Sequence, residues 1–434
     1  MSSKCRKKSS EASIELTVEK LIHRGVGLCR ETNGRVLLIR HVLPGESVFV
    51  HSIVKQKGTY WVDSFDILKP SPDRTAERCP QSSVCGGCPM IFMSQQRERQ
   101  EKLNIFNDIL ERARIACQQP PQVTYCHFSS SRYRGTLHFK DGKTGFYRQG
   151  SHQIAPLTGC KVLPPVLIHL LKPLDQVLHQ FPQQSGDLLF AIKPDHDALL
   201  LHFKLHSKAS SAFKKNLLDA LANRKEVRGV SVEYRRKKQL LCGSDWLEFH
   251  WNRSKVQLKV SSFFQSNPKS WPMFWELVTS WSESCVQRGE WIWDGHAGSG
   301  FLASALSNHL ILATEPSPQT MKNLRGVVGQ EGLCFQCTAE SKINHERALQ
   351  LGGMILDPPR SGLSNKLKQW IVEKGPASVL LFSCEWSTLA RDLSALLKSY
   401  RIIEPLHIID VNPGTFRAEA AVFLTRLQEI DMSS

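Results

Sequence analysis

Apolar and polar positions along this chain follow three successive rhythms. From Ile14 to about Leu68 they alternate in short runs, IELTVEKL, GRVLLIRHV, ESVFVHSIVK and YWVDSFDIL, broken at Gly25, Gly27, Gly34, Pro44 with Gly45, and Gly58. Runs of this period between turn residues predict a small β-barrel, and Arg24, Lys55, Lys57, Tyr60 and Trp61 could give it a basic, aromatic face. After Ser94, a residue suited to cap a helix, Leu103, Phe106, Leu110 and Ala113 recur at spacings of three and four, so a helix is expected there. Between about 122 and 255 the pieces GTLHFK, ALLLHFKL and GVSVEYRRKK alternate among helical stretches and predict a mixed α+β region.

From about Trp271 the rhythm changes again. Short apolar strands, WIWD (291–294), LILATE (310–315), GMILD (353–357), SVLLFSC (378–384) and RIIEPLHIID (401–410), alternate with helical patterns between the first four and before the fifth. That alternation predicts an α/β, doubly wound parallel sheet, with EAAVFLTRL returning as an antiparallel edge strand. The expected divisions are a disordered polar tail (1–12), the barrel (13–70), a cysteine segment with its helix (71–120), the middle α+β domain (121–262) and the sheet domain (263–434).

Charge narrows the partner class. The formal net charge is +16, an excess that counterion release from phosphates rewards, so nucleic acid is the expected partner. The run Arg235, Arg236, Lys237, Lys238 suits phosphate contact or a solvated face equally well. No apolar stretch is long enough to cross a membrane, and the basic, polar start MSSKCRKKSSEAS lacks an export signal, so a cytoplasmic protein without membrane contact is expected. The 13 cysteines then point to metal binding or catalysis rather than disulfides.

Three of them, Cys79, Cys85 and Cys88, fall within CPQSSVCGGCP, where Gly86 and Gly87 let the backbone fold tightly. Cys160, flanked by glycine and prolines, is the best fourth ligand. Such a set can hold zinc or an iron-sulfur cluster, and three local ligands with one remote favour the cluster.

On the sheet, the first strand ends in Asp294 and runs into GHAGSGF, where Gly298 and Gly300 allow a nucleotide-like ligand to approach the backbone. Glu315, ending the second strand, is placed to accept from ribose hydroxyls. Those features serve nicotinamide cofactors and S-adenosylmethionine alike. The exit DPPR, with Asp357 before two prolines, makes a stiff wall beside the donor and favours the methyl donor. Cys384 ends its strand where open α/β sheets place their ligands.

Read in order, PGE at Pro44 to Glu46, the triple cysteine with Cys160, FFQSN at Phe263 to Asn267, the Gly-x-Gly, DPPR, SC at Ser383 and Cys384 with TLARD at Thr388 to Asp392, and NPGTFRAE at Asn412 to Glu419 resemble the RNA 5-methyluridine methyltransferases. They resemble specifically the iron-sulfur members with an amino-terminal TRAM barrel and a Rossmann-like methyltransferase domain. The resemblance implies Cys384 as nucleophile, Glu419 as proton acceptor, and Gln265, His296, Gly298, Gly300, Glu315 and Asp357 around S-adenosylmethionine. It also implies a 4Fe-4S cluster on Cys79, Cys85, Cys88 and Cys160, and a monomer acting on a flipped-out uridine of RNA, 23S rRNA foremost. A tRNA target, or a catalytically inactive RNA-binding relative, is the alternative. Glu385 and Trp386 after the cysteine, His296 and Ala297 before the glycines, and Arg417 before the acid depart from the family's usual residues.

Overall fold

The computed structural model describes residues 9–75, 78–306, 308–342 and 351–427, and no helix among them is long and apolar enough to cross a membrane. The chain divides into two compact units, one of residues 1–109, 147–152 and 414–416, the other of 110–146, 153–413 and 417–434.

In the first unit, β1 (Ser9–Thr17), β2 (Lys20–Ile22), β3 (Val26–Arg30), β4 (Val36–Ile39), β5 (Ser47–Gln56) and β6 (Thr59–Lys69) form one sheet in the order β1-β5-β6-β4-β3-β2. Alternate side chains, among them Leu16, Leu37, Ile39, Val48, Val50 and Val62, make its core. Two local differences from the sequence pattern appear. Strand β1 begins at Ser9, inside the stretch expected as a tail, because pairing with Val54 to Ser52 supplies hydrogen bonds that its polar composition does not advertise; residues 1–8 of that expected tail lie outside the described residues. IELTVEKL divides at Val18, whose amide donates to Glu46 and whose carbonyl accepts from Gly45, so the PGE turn sets the break. Glu46 is fully buried and accepts from Arg74 through both oxygens, at 2.8 and 2.7 Å, and from the amides of Leu43 and Ser71. Helix α1 (Gln95–Arg112) follows Ser94, whose hydroxyl accepts from the Arg97 amide.

The second unit contains two larger sheets. The first comprises β8 (Arg134–Lys140), β9 (Lys143–Tyr147), β10 (Ile154–Pro156), β11 (Gly186–Ile192), β12 (Leu199–Leu205), β13 (Val227–Tyr234) and β14 (Lys237–Gly243), ordered β10-β9-β8-β11-β12-β13-β14, with helices α2 (Pro165–Gln180) and α3 (Ser211–Leu221). A hairpin of β15 (Trp246–Trp251) and β16 (Ser254–Lys259) follows.

The second sheet carries the site. Its order is β19-β18-β17-β20-β21-β23-β22-β7, built from β7 (Gln122–Tyr125), β17 (Trp291–Asp294), β18 (Leu310–Thr314), β19 (Leu333–Phe335), β20 (Leu351–Leu356), β21 (Ser378–Ser383), β22 (Tyr400–Asp410) and β23 (Glu419–Arg426). Helices α4 (Trp271–Cys285), α5 (Pro318–Val328), α6 (Asn365–Lys374) and α7 (Trp386–Leu396) precede or connect its strands. The strands from β19 to β21 pair in parallel, as the alternation requires.

Two expectations are corrected. Between β17 and β18 the connection forms a 3-10 turn at Ala303–Ala305 rather than an α-helix, because the glycine turn leaves too few residues before Leu310 for several helical turns. The strand EAAVFLTR is not an edge: β23 lies inside the sheet, antiparallel to both β21 and β22. Its six buried residues, Glu419 to Leu424, suit a central position.

Candidate active site

Strand β21, SVLLFS, is buried along its whole length, so the chain can leave the sheet only at Ser383. The Ser383 hydroxyl accepts from the Glu385 amide at 3.2 Å and closes a tight turn into α7. Cys384 sits in that turn, half-buried, at the carboxyl edge of the sheet. The antiparallel register then does something the sequence does not show. Pairs run from Ser378 with Thr425 to Ser383 with Ala420, so the next residues along the two strands are Cys384 and Glu419. Nucleophile and acid candidates, 35 positions apart, are brought side by side by strand pairing alone.

Asp357 joins them. It follows β20, whose Leu356 pairs with Leu381, and it leaves the sheet one strand away from Cys384. The segment after it is clamped to α7. Buried Asp392 accepts from the Leu363 amide at 2.8 Å and pairs with Lys368 and Arg391, Arg391 donates to the Ser361 carbonyl, and the Thr388 hydroxyl donates to the Arg360 carbonyl. TLARD therefore holds DPPR in place.

The electrostatics of this edge are unusual. Burial, with Asp357 adding, pushes the Glu419 carboxyl up to about 8, against the opposing pull of Arg360 and Arg417. Burial, Glu419 and Asp357 push the Cys384 thiol up to about 11, and Arg360 opposes them. Asp357 itself is raised to about 6 by burial. Near pH 7 Cys384 therefore rests as a thiol and Glu419 largely as the neutral acid. Glu419 Oε2 has no hydrogen-bond partner among the described residues.

Further along the edge, β17 ends in Asp294, raised to about 7 by burial with Asp357 and Glu315 contributing. The turn that follows needs its glycines, with Gly298 at φ +54° and Gly300 at φ +91°. Open space faces Gly298, whereas a Cβ at Gly300 would lie 2.9 Å from Val327. Glu315 accepts from the amides of Gly298, at 3.1 Å, and Ser317, at 2.9 Å, so the acid and the glycine turn form one unit. His296 is half-buried and its basicity is lowered by that burial. Neither Asp294 carboxylate oxygen, nor His296 Nδ1, nor Ser299 Oγ has a well-aligned hydrogen-bond partner among the described residues. Buried polar atoms left this way are costly and fit a polar ligand that supplies the missing bonds.

Gln265 lies in the loop before α4, buried, its carbonyl accepting from Trp271 Nε1. That loop is tied to the end of β22, since Asn267 Nδ2 donates to the Val411 carbonyl and Ser266 Oγ donates to Asn412. All sheet-domain candidates thus belong to one edge. Asp294 and Arg360 were in plain view in the sequence but carried no role there. Their signal, a strand-end acid and a cation after two prolines, is too common to single out.

The cysteine set stands differently. Cys79, Cys85 and Cys88 belong to the first unit and Cys160 to the second. The Gly87 amide donates to Cys85 Sγ at 3.4 Å, and Gly86 has no room for a side chain beside Tyr147 and Gln149. Among the described residues no group of three or more His, Cys, Asp or Glu is gathered as a metal site, so the geometry does not carry the expected cluster.

No protein-family model matches this chain. Several curated proteins align over nearly its whole length. An uncharacterized RNA methyltransferase of Parasynechococcus marenigrum is 27% identical, covering 95% of this chain and 96% of its own. A 23S rRNA (uracil(1939)-C(5))-methyltransferase of Shewanella amazonensis is 26% identical, covering 95% of both. Among solved structures, the Pyrococcus abyssi tRNA (uracil-54, C5)-methyltransferase, in complex with S-adenosyl-L-homocysteine, superposes with a TM-score of 0.75 at 16% identity, over 95% of this chain and 100% of the other. The chain has the Rossmann-like methyltransferase fold with an amino-terminal β domain. At that identity the structural likeness speaks for the fold.

Proposed function

We propose that the chain transfers a methyl group from S-adenosylmethionine to carbon 5 of a uridine in RNA, with 23S rRNA the target class, through a covalent adduct on Cys384. The observation that supports it best is the register that sets Cys384 beside Glu419, with Asp357 on the neighbouring strand.

Carbon 5 of uracil is too weakly nucleophilic to accept a methyl group unaided. Addition of the Cys384 thiolate to carbon 6 forms an S–C bond and moves the double-bond electrons onto the O4 side as an enolate. Arg360, the cation opposing the upward push on Cys384, favours loss of the thiol proton. S-adenosylmethionine supplies an electrophilic methyl on a sulfonium sulfur, which would leave as the neutral thioether of S-adenosylhomocysteine when the enolate's carbon 5 takes the methyl. With the methyl on carbon 5, the Glu419 carboxylate takes the carbon 5 proton, the double bond re-forms and the thiolate leaves. Arg360 and Arg417 favour the ionised Glu419 that this step needs. The residues around Gly298 and Glu315, with their unmet hydrogen bonds, fit the donor's adenosine portion. The target base must leave its stack to reach a half-buried cysteine, which a loop permits at least cost.

RNA in which the target uridine is replaced by 5-fluorouridine tests this. The fluorine cannot be removed as a proton, so the protein with S-adenosylmethionine should be trapped as an adduct stable to denaturing electrophoresis. Trapping by Cys384→Ala would assign the nucleophile elsewhere. RNA binding with neither methylation nor trapping would leave a binding protein without catalysis.

For the first unit we read a TRAM-type barrel and, with Cys160, a structural 4Fe-4S cluster. The sequence spacing supports the cluster, and no step of the reaction passes through it. Anaerobic protein should be brown, with iron and acid-labile sulfide; stoichiometric zinc instead would refute it.

A further inference from the structure

Strands β13 and β14 pair from Gly229 with Gly243 to Tyr234 with Lys237, so only Arg235 and Arg236 close the hairpin. Both lie in left-handed backbone conformation, φ +49° and +64°. A two-residue turn with both φ positive is the type that Asn-Gly and Asp-Gly fill, because a Cβ is strained there. The same chain respects that preference at its other such turns. Lys57-Gly58 closes β5 and β6, and Asp141-Gly142 closes β8 and β9, each with glycine second. Arg236 therefore stands where the other two turns carry glycine, and a left-handed arginine kept in glycine's place points to a function for the arginine pair at this tip.

Those side chains are exposed and followed by exposed Lys237 and Lys238. Arg235 lies over the ring of Tyr234, 5.2 Å from its centre. Among the described residues Arg235, Arg236 and Lys237 make no ion pair. Lys214 of α3 reaches the adjoining strand, bonding Gln239 at 2.8 Å. Glu233, two residues before the tip, lies 3.2 Å from His202, and Asp245 is held by Lys238 at 3.4 Å and Lys259 at 3.1 Å.

We infer that the Arg235-Arg236 hairpin tip is a docking point for the phosphate backbone of the RNA substrate, holding it independently of its sequence. The inference rests on the RNA methyltransferase reading above and adds the surface that engages backbone rather than base. Guanidinium groups suit it because each can bind phosphate through two parallel hydrogen bonds.

The test exploits the strain. Arg235→Asn with Arg236→Gly installs the turn's preferred residues, so the double variant should melt at the wild-type temperature or above. Its binding to a fluorescein-labelled stem–loop RNA with uridines in the loop is then titrated against salt. Losing two phosphate contacts should reduce the slope of log affinity against log salt by about 1.4–1.8. Extrapolated from unchanged affinity at 1 M, that is roughly a 10- to 30-fold weaker affinity at ~0.15 M salt. Methyl transfer at saturating RNA should keep its kcat while KM rises. Wild-type binding with an unchanged slope and affinity in the variant overturns the docking surface and leaves the methyltransferase reading standing. A wild-type chain showing no salt-dependent RNA binding overturns both.

Discussion

Glu419→Gln should make this protein inactive and, above neutral pH, more stable. Glu419 is buried at the start of a central strand, and its carboxyl is raised from 4.5 to about 8, first by burial and then by Asp357. A folded group that binds its proton more tightly than the unfolded chain stabilises the fold fully below about pH 4.5. That contribution drains away as pH rises through about 8, because the unfolded chain gains by ionising while the folded one cannot. At 1.36 kcal/mol per tenfold, the whole effect is on the order of 3–5 kcal/mol. Glutamine has the shape of the neutral acid and cannot ionise, so the variant keeps the contribution at every pH. Thermal unfolding of both proteins from pH 5 to 9 should show curves that meet near pH 5 and separate by about 1 kcal/mol per pH unit up to about pH 8. Parallel curves, or a variant destabilised equally at all pH values, would mean that Glu419 is ionised in the fold and the electrostatic account of the site is wrong.

Three further outcomes follow from the same edge of the sheet. Asp392→Ala leaves Lys368 without its partner and frees the loop after DPPR, so denaturant unfolding should show a loss of about 3–5 kcal/mol, and Asp392→Asn less because an acceptor for Leu363 remains. Gly300→Ala should weaken S-adenosylhomocysteine binding in calorimetry and destabilise the fold by more than Gly298→Ala, since only at Gly300 does the new methyl meet Val327; equal effects would argue against a tight turn there. S-adenosylmethionine, a cation, should release protons on binding near pH 7 by lowering Asp294 and Glu419, whereas neutral S-adenosylhomocysteine should release fewer; calorimetry in buffers of different ionisation enthalpy measures the difference.

The sequence makes part of this site legible and conceals the rest for physical reasons. Cys384, the glycine turn and Glu315 are visible because each depends on local chain: an apolar strand, a change of period, and a residue type the turn requires. The pairing of Cys384 with Glu419 is not local. It depends on β23 entering between β21 and β22, and an apolar run such as AAVFL reads alike in any buried strand, whatever its neighbours. The missing helix after Gly300 is a matter of length, and the break at Val18 is set by a turn 27 residues away. The Arg235-Arg236 turn lacks the Asn or Gly that announces a hairpin, so it reads as a charge run until the backbone shows its conformation.

What the fold adds is electrostatic as much as geometric. Asp294, Asp357 and Glu419 end, follow and begin strands that share one edge; burial raises all three, and Asp357 raises Asp294 and Glu419 further. A sequence shows three acids 63 and 62 positions apart and no reason for any of them to hold a proton near neutrality. Folding raises their proton affinity through shared burial and mutual charge. Burial, with Glu419 and Asp357 adding, likewise raises the Cys384 thiol, and Arg360 is the positive charge of the chain that opposes them.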